Sequence, residues 1–276
     1  MKIVATCLAP LSHSSFGPSS GNEILIRRMS LVSASGMPRI PCVSGNALRG
    51  KLRRLVMRDL LERVRLSRET LPSPGWDRLY AALANGGHLE GSETRVDPEE
   101  RRQLRADLPP LSLFGAALYS YLLPGHVNVG ILWPRCRETL AAGVVSEAPG
   151  LDAEDLVDEV SHVRHVDRDE QSPELSGVTP MPATWETLAT GTVLESYVDF
   201  APHATAVERG CFIHGLELLT HLGGKASVGW GRVTLEHDGD EEEHALYREW
   251  LGSTTDGALR SLCGAMGPTK AKRKKR

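Results

Sequence analysis

The stretch 39–54 of the 276-residue chain constrains the fold more than any other and reads RIPCVSGNALRGKLRR. Pro41 fixes one backbone dihedral and Gly45 permits an unusual one, so the first half of the stretch is typical of a loop. Ser44 and Asn46 are both residue types that cap the start of a helix. An apolar stripe at mostly three- and four-residue spacing follows, made of Leu48, Leu52, Leu55, Val56, Leu60 and Val64. The stretch therefore predicts a loop that opens a long amphipathic helix.

The polar face of this predicted helix is strongly basic. It carries Arg49, Lys51, Arg53, Arg54, Arg58, Arg63 and Arg65. A helix start offers free N–H groups, and with small residues and cations nearby it is a natural seat for a phosphate group. A solvated basic face on a core helix explains the same residues, and the stretch alone leaves both interpretations open.

The composition is that of an ordinary soluble globular protein, with 41% hydrophobic and 24% charged residues. The length fits one large domain or two small ones. No apolar run approaches the roughly 18–20 residues that span a bilayer, and the first ten residues lack the pattern of a signal peptide. Five scattered cysteines without a CxxC pair favour reduced thiols in a cytoplasm over disulfides or a zinc site.

The net charge of −3 hides a strong segregation of charge along the chain. Residues 1–66 contain 11 Lys+Arg and 3 Asp+Glu, and residues 270–276 contain six cations and no acids. The part between them, residues 67–269, has a net charge of −17. This asymmetry suggests a localised site for a polyanion or charged packing between neighbouring subunits.

The succession of segments predicts an α+β fold. Strands are indicated at residues 2–9, 23–32, 125–132, 192–200 and 230–235, and a second helix at residues 209–222. Residues 67–110 are predicted to be a polar helical insertion, residues 137–160 to be acidic and partly helical, and residues 161–185 to be irregular. This order suits an antiparallel sheet with helices on one face.

A glycine-rich loop follows the second predicted helix. It contains Gly223, Gly224, Lys225, Gly229, Gly231 and Arg232, which would let backbone and cations approach a ligand closely. It is not a Walker loop, because Ala226 follows the lysine, and it is not a dinucleotide-binding fingerprint, because it leads from a helix into a strand. A helix C-cap followed by a tight turn is the alternative explanation.

Two groups of histidines are candidate metal ligands. His162 and His165 lie beside Asp167 and Asp169, but no second cluster stands at ligand spacing. His214, Glu217 and His221 share one helical face, and we expect them to be satisfied residues at the edge of a core. The sequence gives no reason to expect a metal or a cofactor.

Four patterns together resemble one family. They are the glycine-bearing loop 11–22, the stretch 40–53, the segment with Val166-Asp167-Arg168, Glu186 and Gly191-Thr192, and the late loop 222–232. In combination they resemble the RAMP backbone subunits of class 1 CRISPR effector complexes, which polymerise along a guide RNA. The resemblance touches about half of the chain, and the insertions and the tail match nothing in it.

The resemblance implies an α+β fold with an RRM-like (ferredoxin-like) antiparallel palm, a helical finger and an extended thumb. The palm would consist of residues 1–66, with the guide-binding loop and helix, residues 111–149, and residues 191–236, with the glycine-rich loop. The finger would be residues 67–110 and the thumb residues 150–190. Residues 237–276 would be an acidic segment, a short helix and a basic disordered tail.

The basic patterns and the resemblance together assign RNA contacts to a set of residues. The set is Ser44, Asn46, Arg49, Lys51, Arg53, Arg54, His13, Arg27, Gly223, Gly224, Lys225, Arg232, Arg164 and Arg168. Asn22 occupies the place at which type III members carry their cleaving aspartate, so no target cleavage is expected. This favours a type IV-like subunit, with type I and inactive type III homologues left open.

The partners implied by the resemblance are the guide RNA, further copies of the chain in a filament, other CRISPR effector subunits, and a target nucleic acid reached through the guide. Two alternatives stay open at this point. One is a guide-processing endoribonuclease of the same superfamily, with His13 as general base. The other is a general binder of single-stranded RNA.

Overall fold

The computed structural model describes residues 1–14, 23–33, 36–73, 75–89, 98–119, 121–163 and 182–265. The chain divides into two compact units. Unit 1 consists of Met1–Ala47, Gly130–Tyr197 and Thr220–Asp238, and unit 2 of Leu48–Val129, Val198–Leu219 and the described residues from Gly239 on. This division differs from the expected palm, finger and thumb segments, whose boundaries stay predictions.

The elements have the following bounds. The strands are β1 (Lys2–Cys7), β2 (Glu23–Ile24), β3 (Arg28–Ser30), β4 (Arg39–Pro41), β5 (Gly87–Leu89), β6 (Ala116–Tyr119), β7 (Tyr121–Leu123), β8 (Val127–Val129), β9 (Trp133–Pro134), β10 (Val157–Val163), β11 (Pro182–Leu188), β12 (Val193–Phe200) and β13 (Val233–His237). The α-helices are α1 (Gly45–Arg63), α2 (Gly75–Tyr80), α3 (Pro98–Asp107), α4 (Pro109–Phe114), α5 (Arg137–Ala141), α6 (Ala206–Glu217), α7 (Glu241–Ser253) and α8 (Gly257–Ala265).

The main antiparallel sheet has the strand order β13-β1-β12-β8. In unit 1, β1 pairs antiparallel with β12 from Lys2↔Tyr197 and with β13 from Ile3↔His237. In unit 2, the last three residues of β12 pair with β8. Because α1 follows β1 and α6 follows β12, this strand order is that of a ferredoxin-like β-α-β-β-α-β fold, the RRM-like arrangement. The predicted α+β fold is confirmed.

Glu195 of β12 is the centre of a buried polar network in unit 1, with a fully buried side chain. It accepts hydrogen bonds from Arg135 Nε at 3.0 Å, Ser146 Oγ at 2.9 Å and Tyr197 Oη at 3.1 Å, and Lys2 Nζ lies 3.3 Å away. Burial alone would raise the pKa of Glu195, but the hydrogen bonds from these four side chains hold it below its usual value. The ionised carboxylate therefore joins β12 to β1 and to the segment after β9.

Two long strands lie where the sequence indicated an acidic, partly helical segment and then an irregular one. Strands β10 and β11 pair antiparallel from Val157↔Leu188 to Val163↔Pro182, and β11 also pairs parallel with β2. Glu186 of β11 accepts a hydrogen bond from the backbone N–H of Ile26 at 3.0 Å. The local prediction was wrong here because the partner strand, which supplies the backbone hydrogen bonds, is far away in the sequence.

Other predicted elements are present with shifted ends. The strand expected over 23–32 is divided into β2 and β3. Helix α6 begins at Ala206, before the predicted start, because Thr205 and Glu208 form a capping box there. Strand β13 begins at Val233 and not at Trp230, because the backbone N–H of Trp230 donates to the carbonyl of Lys225 within the loop. The predicted helical segment 67–110 contains α2 and α3 but also the short strand β5.

Unit 2 is mainly helical, and its core includes the apolar stripe that the sequence predicts for α1. Leu48, Leu52, Val56 and Leu60 are all buried. Helices α6 and α7 pack so closely that a Cβ on Gly210 would lie 1.9 Å from the carbonyl oxygen of Glu243. Among the described helices, none combines the length and the apolar character that crossing a bilayer requires.

Candidate nucleic-acid interface

The start of α1 in unit 1 is organised by Ser44 and His13. Ser44 is the N-cap, as predicted, since its Oγ accepts a hydrogen bond from the backbone N–H of Ala47 at 3.3 Å. The Nε2 atom of His13 lies 3.3 Å from the backbone nitrogen of Ser44 and 3.2 Å from its Oγ. Asn46 is exposed in the first turn of the helix. The first loop therefore positions the start of α1 through His13.

The protonation state of His13 follows from this contact. The backbone N–H of Ser44 donates to Nε2, which must then carry a lone pair. Burial of the ring and the positive charge of Arg27 both lower the pKa of His13 below its ordinary value of 6.5. His13 is therefore a neutral hydrogen-bond acceptor at pH 7, and the lone pair that a general base would use is already engaged.

The glycine-rich loop of unit 1 packs its backbone against the first loop. A Cβ on Gly223 would lie 2.2 Å from the carbonyl oxygen of Ser12, and a Cβ on Gly231 would lie 1.9 Å from that of Leu222. Both glycines also have positive φ, at +69° and +73°. The N–H of Gly224 donates to the same Ser12 carbonyl at 2.9 Å. These glycines are thus required by the close approach of two protein segments.

The two cations of this loop have different surroundings: Lys225 contacts aromatic rings, whereas Arg232 is exposed. The Nζ atom of Lys225 lies 3.3 Å from the ring centroid of Trp185 and 5.6 Å from that of Trp230. The two indole rings meet edge to face with centroids 6.1 Å apart. This is a cation–π cluster on the β11 side of the loop. Arg232 is exposed at the end of the loop, before β13.

Two of the arginines of α1 that were predicted to bind RNA, Arg49 and Arg53, contact protein carbonyls within unit 2. Arg53 is 7% exposed and donates hydrogen bonds to the backbone carbonyls of Ala82, Leu83 and Phe114. Burial, with a smaller contribution from the charge of Arg49, lowers the pKa of Arg53 to about 10. Arg49 also donates to the Phe114 carbonyl. Because both guanidinium groups are bound to protein carbonyls, the proposed RNA surface contains neither Arg49 nor Arg53.

The other cations of α1 face outward. Lys51 is half-buried, and Arg54 and Arg58 are exposed one turn apart. Burial and the charges of these two arginines lower the pKa of Lys51 from its ordinary value. This arrangement concentrates positive charge on one exposed strip of the helix, which we call the outer strip (Lys51, Arg54 and Arg58).

A cavity of about 510 Å³ in unit 2 lies beside the outer strip and combines cations with aromatic rings. Arg54, Arg58 and Arg65 line it together with Trp76 and Tyr80 of α2. The two rings are stacked, with centroids 5.8 Å apart and planes 30° apart, and Tyr80 is 46% exposed. Aromatic faces next to guanidinium groups are the elements with which proteins hold single-stranded nucleic acid.

Several predicted residues lie outside the described part of the chain. They are Asn22, Arg164 and Arg168, together with His165, Asp167, Asp169 and the tail 270–276. Arg27 lies in the described part of unit 1, where its backbone N–H donates to the carbonyl of His13 at 2.7 Å. The structure thus brings His13, Arg27, Ser44 and the glycine-rich loop to one region of unit 1.

The aromatic members of both regions were not predicted from the sequence. Trp76 and Tyr80 have the spacing of a core-facing helix, but within α2 it is Leu79 that is buried. Trp185 stood in a stretch predicted to be irregular, so its cluster with Trp230 could not be foreseen. The available signal was the placement of large aromatic residues next to cationic segments, which favours nucleic-acid contact.

Comparison with solved structures shows a shared fold. The chain is similar to one in a structure titled "Type IV-B CRISPR Complex", with a TM-score of 0.57, 21% sequence identity, and coverage of 85% of this chain and 88% of the other. A second structure, Csc2 of Thermofilum pendens, has a TM-score of 0.43 and 16% identity, over 95% of this chain and 79% of that one. No protein-family model and no curated protein matches the sequence.

Proposed function

We propose that this chain is a non-catalytic guide-RNA-binding subunit, copies of which line the RNA and form the backbone of a CRISPR interference complex. One observation carries the proposal. The chain shares its fold, over 85% of its length, with a chain from a structure titled as a type IV-B CRISPR complex. It also presents basic surfaces on the elements that the sequence motifs marked for guide binding.

In unit 1, the start of α1 and the glycine-rich loop support a grip on the RNA backbone. The helix start provides N–H groups and a positive partial charge, and Asn46 adds an exposed amide. Arg232 is exposed on the loop, and Lys225 holds its charge over Trp185. Such a surface would bind phosphates without reading bases, as a guide of any sequence requires.

In unit 2, the outer strip and the aromatic cavity support contacts to both phosphates and bases. Arg54 and Arg58 are exposed at a spacing of one helical turn. The stacked rings of Trp76 and Tyr80 offer apolar faces beside them. Base stacking of this kind tolerates any sequence because every base has a π-face.

The environment of His13 supports a binding role over guide processing. Its Nε2 lone pair accepts from the backbone of Ser44, and burial and Arg27 lower its pKa. In this geometry the imidazole stabilises the helix start, and its acceptor nitrogen is already engaged. The asparagine at position 22, in place of the family's cleaving aspartate, adds to the proposal that the subunit does not cut its target.

The segregation of charge supports the proposed assembly into a filament. Residues 1–66 are strongly basic and residues 67–269 carry a net charge of −17, so a basic surface of one copy can meet an acidic surface of the next. We propose the guide RNA, neighbouring copies, other effector subunits and a target nucleic acid as partners. Of the CRISPR types, a type IV-like complex is the one we favour.

The experiment is to purify the chain from expressing cells without nuclease and to record the 260/280 nm absorbance ratio and electron micrographs. We expect co-purified RNA and regular helical particles. The matched test is incubation of the nucleic-acid-free chain with repeat RNA, next to the His13→Ala variant. Metal-free cleavage of the repeat that disappears in His13→Ala would replace this proposal with the processing enzyme.

A further inference from the structure

A compact group of histidine and glutamate side chains lies where α6 packs on α7 in unit 2. His214 and Glu217 belong to α6, and His244 belongs to α7. One ligand-type atom from each of these three residues lies within 4.8 Å of the others. His214 and His244 are buried, whereas Glu217 is exposed. The sequence pairs His214 and Glu217 with His221, but in the structure the third member comes from another helix.

A chain of hydrogen bonds fixes the protons of the two histidines. Nε2 of His214 lies 3.0 Å from Oδ2 of Asp59, and an ionised carboxylate only accepts, so the proton of His214 is on Nε2. Nδ1 of His214 then carries a lone pair and lies 3.4 Å from Nε2 of His244. His244 therefore donates from Nε2. Because a neutral imidazole has a single N–H, its Nδ1 is left with a lone pair.

The Nδ1 atom of His244 is buried and lacks a hydrogen-bond partner. The residue is 1% exposed. Two carboxylates lie near this nitrogen, Glu217 Oε1 at 3.2 Å and Glu241 Oε2 at 3.7 Å. The approach of Glu217 does not have the geometry of a hydrogen bond, although the distance is short enough. The buried lone pair of His244 Nδ1 thus faces carboxylate oxygens and has no hydrogen to share with them, an unfavourable arrangement that a cation bound to these atoms would relieve.

We propose that His244 Nδ1, Glu217 and Glu241 bind a divalent transition-metal ion of the zinc class. Bonds of about 2.0–2.1 Å in a tetrahedral site place neighbouring ligand atoms roughly 3.3–3.4 Å apart. The separations of 3.2 and 3.7 Å between His244 and the two glutamates bracket this value. One imidazole with two carboxylates suits zinc better than magnesium or calcium, which favour oxygen ligands alone.

The surroundings complete such a site. Glu217 and Glu241 have side chains 47% and 73% exposed, so the ion can enter from solvent and water can take the remaining position. His214 and Asp59 act as positioning residues, because they hold the His244 ring in the tautomer that frees Nδ1. The ion would join the last residue of α6 to the first turn of α7 and so stabilise the packing of these two helices.

The test uses the full-length, untagged chain, freed of nucleic acid and treated with chelator, in equilibrium dialysis against Zn²⁺. We expect one equivalent to bind and the melting temperature to rise with added Zn²⁺. Co²⁺ in place of Zn²⁺ should give the intense visible absorption of a tetrahedral site. Glu217→Gln and Glu241→Gln should each weaken Zn²⁺ binding at least about tenfold.

The control is the double variant Glu242→Gln/Glu249→Gln, which removes two negative charges at exposed positions of α7, one more than either test variant, and should bind Zn²⁺ unchanged. His244→Gln removes the nitrogen ligand but also disturbs a buried position. The two exposed glutamates are therefore the substitutions that test the proposed site. Absence of stoichiometric Zn²⁺ binding, or binding that is unaffected by Glu217→Gln and Glu241→Gln, would overturn the proposal. Neither result depends on RNA binding, so this test is independent of the proposed function.

Discussion

Two neighbouring arginines of α1 are predicted to have opposite phenotypes. Arg53 and Arg54 are adjacent in a basic sequence, but Arg53 is buried against backbone carbonyls and Arg54 is exposed. We expect Arg53→Ala to lower the stability of the protein and to leave the salt dependence of RNA binding unchanged. We expect the double variant Arg54→Ala/Arg58→Ala to lower that salt dependence and to leave stability unchanged.

The magnitude for Arg53→Ala follows from its hydrogen bonds. The substitution leaves the carbonyls of Ala82 and Leu83 without this donor, at about 2 kcal/mol each, whereas the Phe114 carbonyl keeps its hydrogen bond from Arg49. It also removes a buried charge, and the lowering of its pKa from 12.5 to about 10 corresponds to about 3 kcal/mol in the opposite direction. The net loss is therefore about 1 kcal/mol of unfolding free energy, or roughly 2–4 °C in melting temperature.

The magnitude for the double variant follows from counterion release. Each phosphate of a single-stranded RNA that the protein no longer neutralises lowers the slope of log affinity against log salt by about 0.7. If Arg54 and Arg58 each neutralise one phosphate, their removal lowers that slope by about 1.4. Because both side chains are exposed, their removal should change the unfolding free energy by less than about 0.5 kcal/mol.

The measurements are thermal or urea unfolding and RNA binding by fluorescence anisotropy at several salt concentrations. Arg53→Lys serves as a control, since it keeps the charge but loses the planar fork that reaches several carbonyls. An Arg53→Ala variant with unchanged stability, or with a lower salt slope, would refute the structural role of Arg53. An unchanged slope in Arg54→Ala/Arg58→Ala would equally refute the role of the outer strip in RNA binding.

Two further predictions concern unit 1. Gly231→Ala should lower the unfolding free energy by more than about 3 kcal/mol, because φ is +73° and the new Cβ would lie 1.9 Å from the Leu222 carbonyl oxygen. The control is Gly229→Ala, where φ is +85° but the space around the new Cβ is open. It should lower the unfolding free energy, measured by chemical denaturation, by only about 1 kcal/mol. Glu195→Gln should cost about 3 kcal/mol at pH 7, because it leaves Arg135 without its buried partner. The pKa of Glu195 is lower in the folded chain than in the unfolded one, so its stabilisation is complete above about pH 4.5 and is lost on further acidification. Unfolding curves between pH 3 and 7 should therefore converge for Glu195→Gln and the parent, and parallel curves would contradict this.

Short-range patterns predicted a substantial part of the fold. The N-cap at Ser44 and the buried stripe of α1 follow from residues three and four positions apart, which are neighbours on any helix. The first strand follows from the alternation of Ile3, Ala5 and Cys7. The α+β class followed from the order of these elements.

Pairing between distant segments was not predictable in the same way. Strands β10 and β11 carry acidic and polar residues that also suit a helix or a loop, and only their mutual hydrogen bonds make them strands. The glycines at positions 223 and 231 suggested a ligand loop, whereas the structure shows that their lack of a Cβ admits neighbouring backbone. A glycine-rich pattern alone does not say what approaches it.

By itself, the sequence determined that a capped, amphipathic and strongly basic helix would begin near residue 45. Only the tertiary structure decided which of its cations face solvent and which face the protein. The carbonyls that bind Arg53 belong to residues 82, 83 and 114, which no local pattern connects to the helix. A buried carbonyl needs a hydrogen-bond donor, and here the guanidinium of Arg53 is that donor. Its N–H groups are therefore already used within the protein and do not bind RNA.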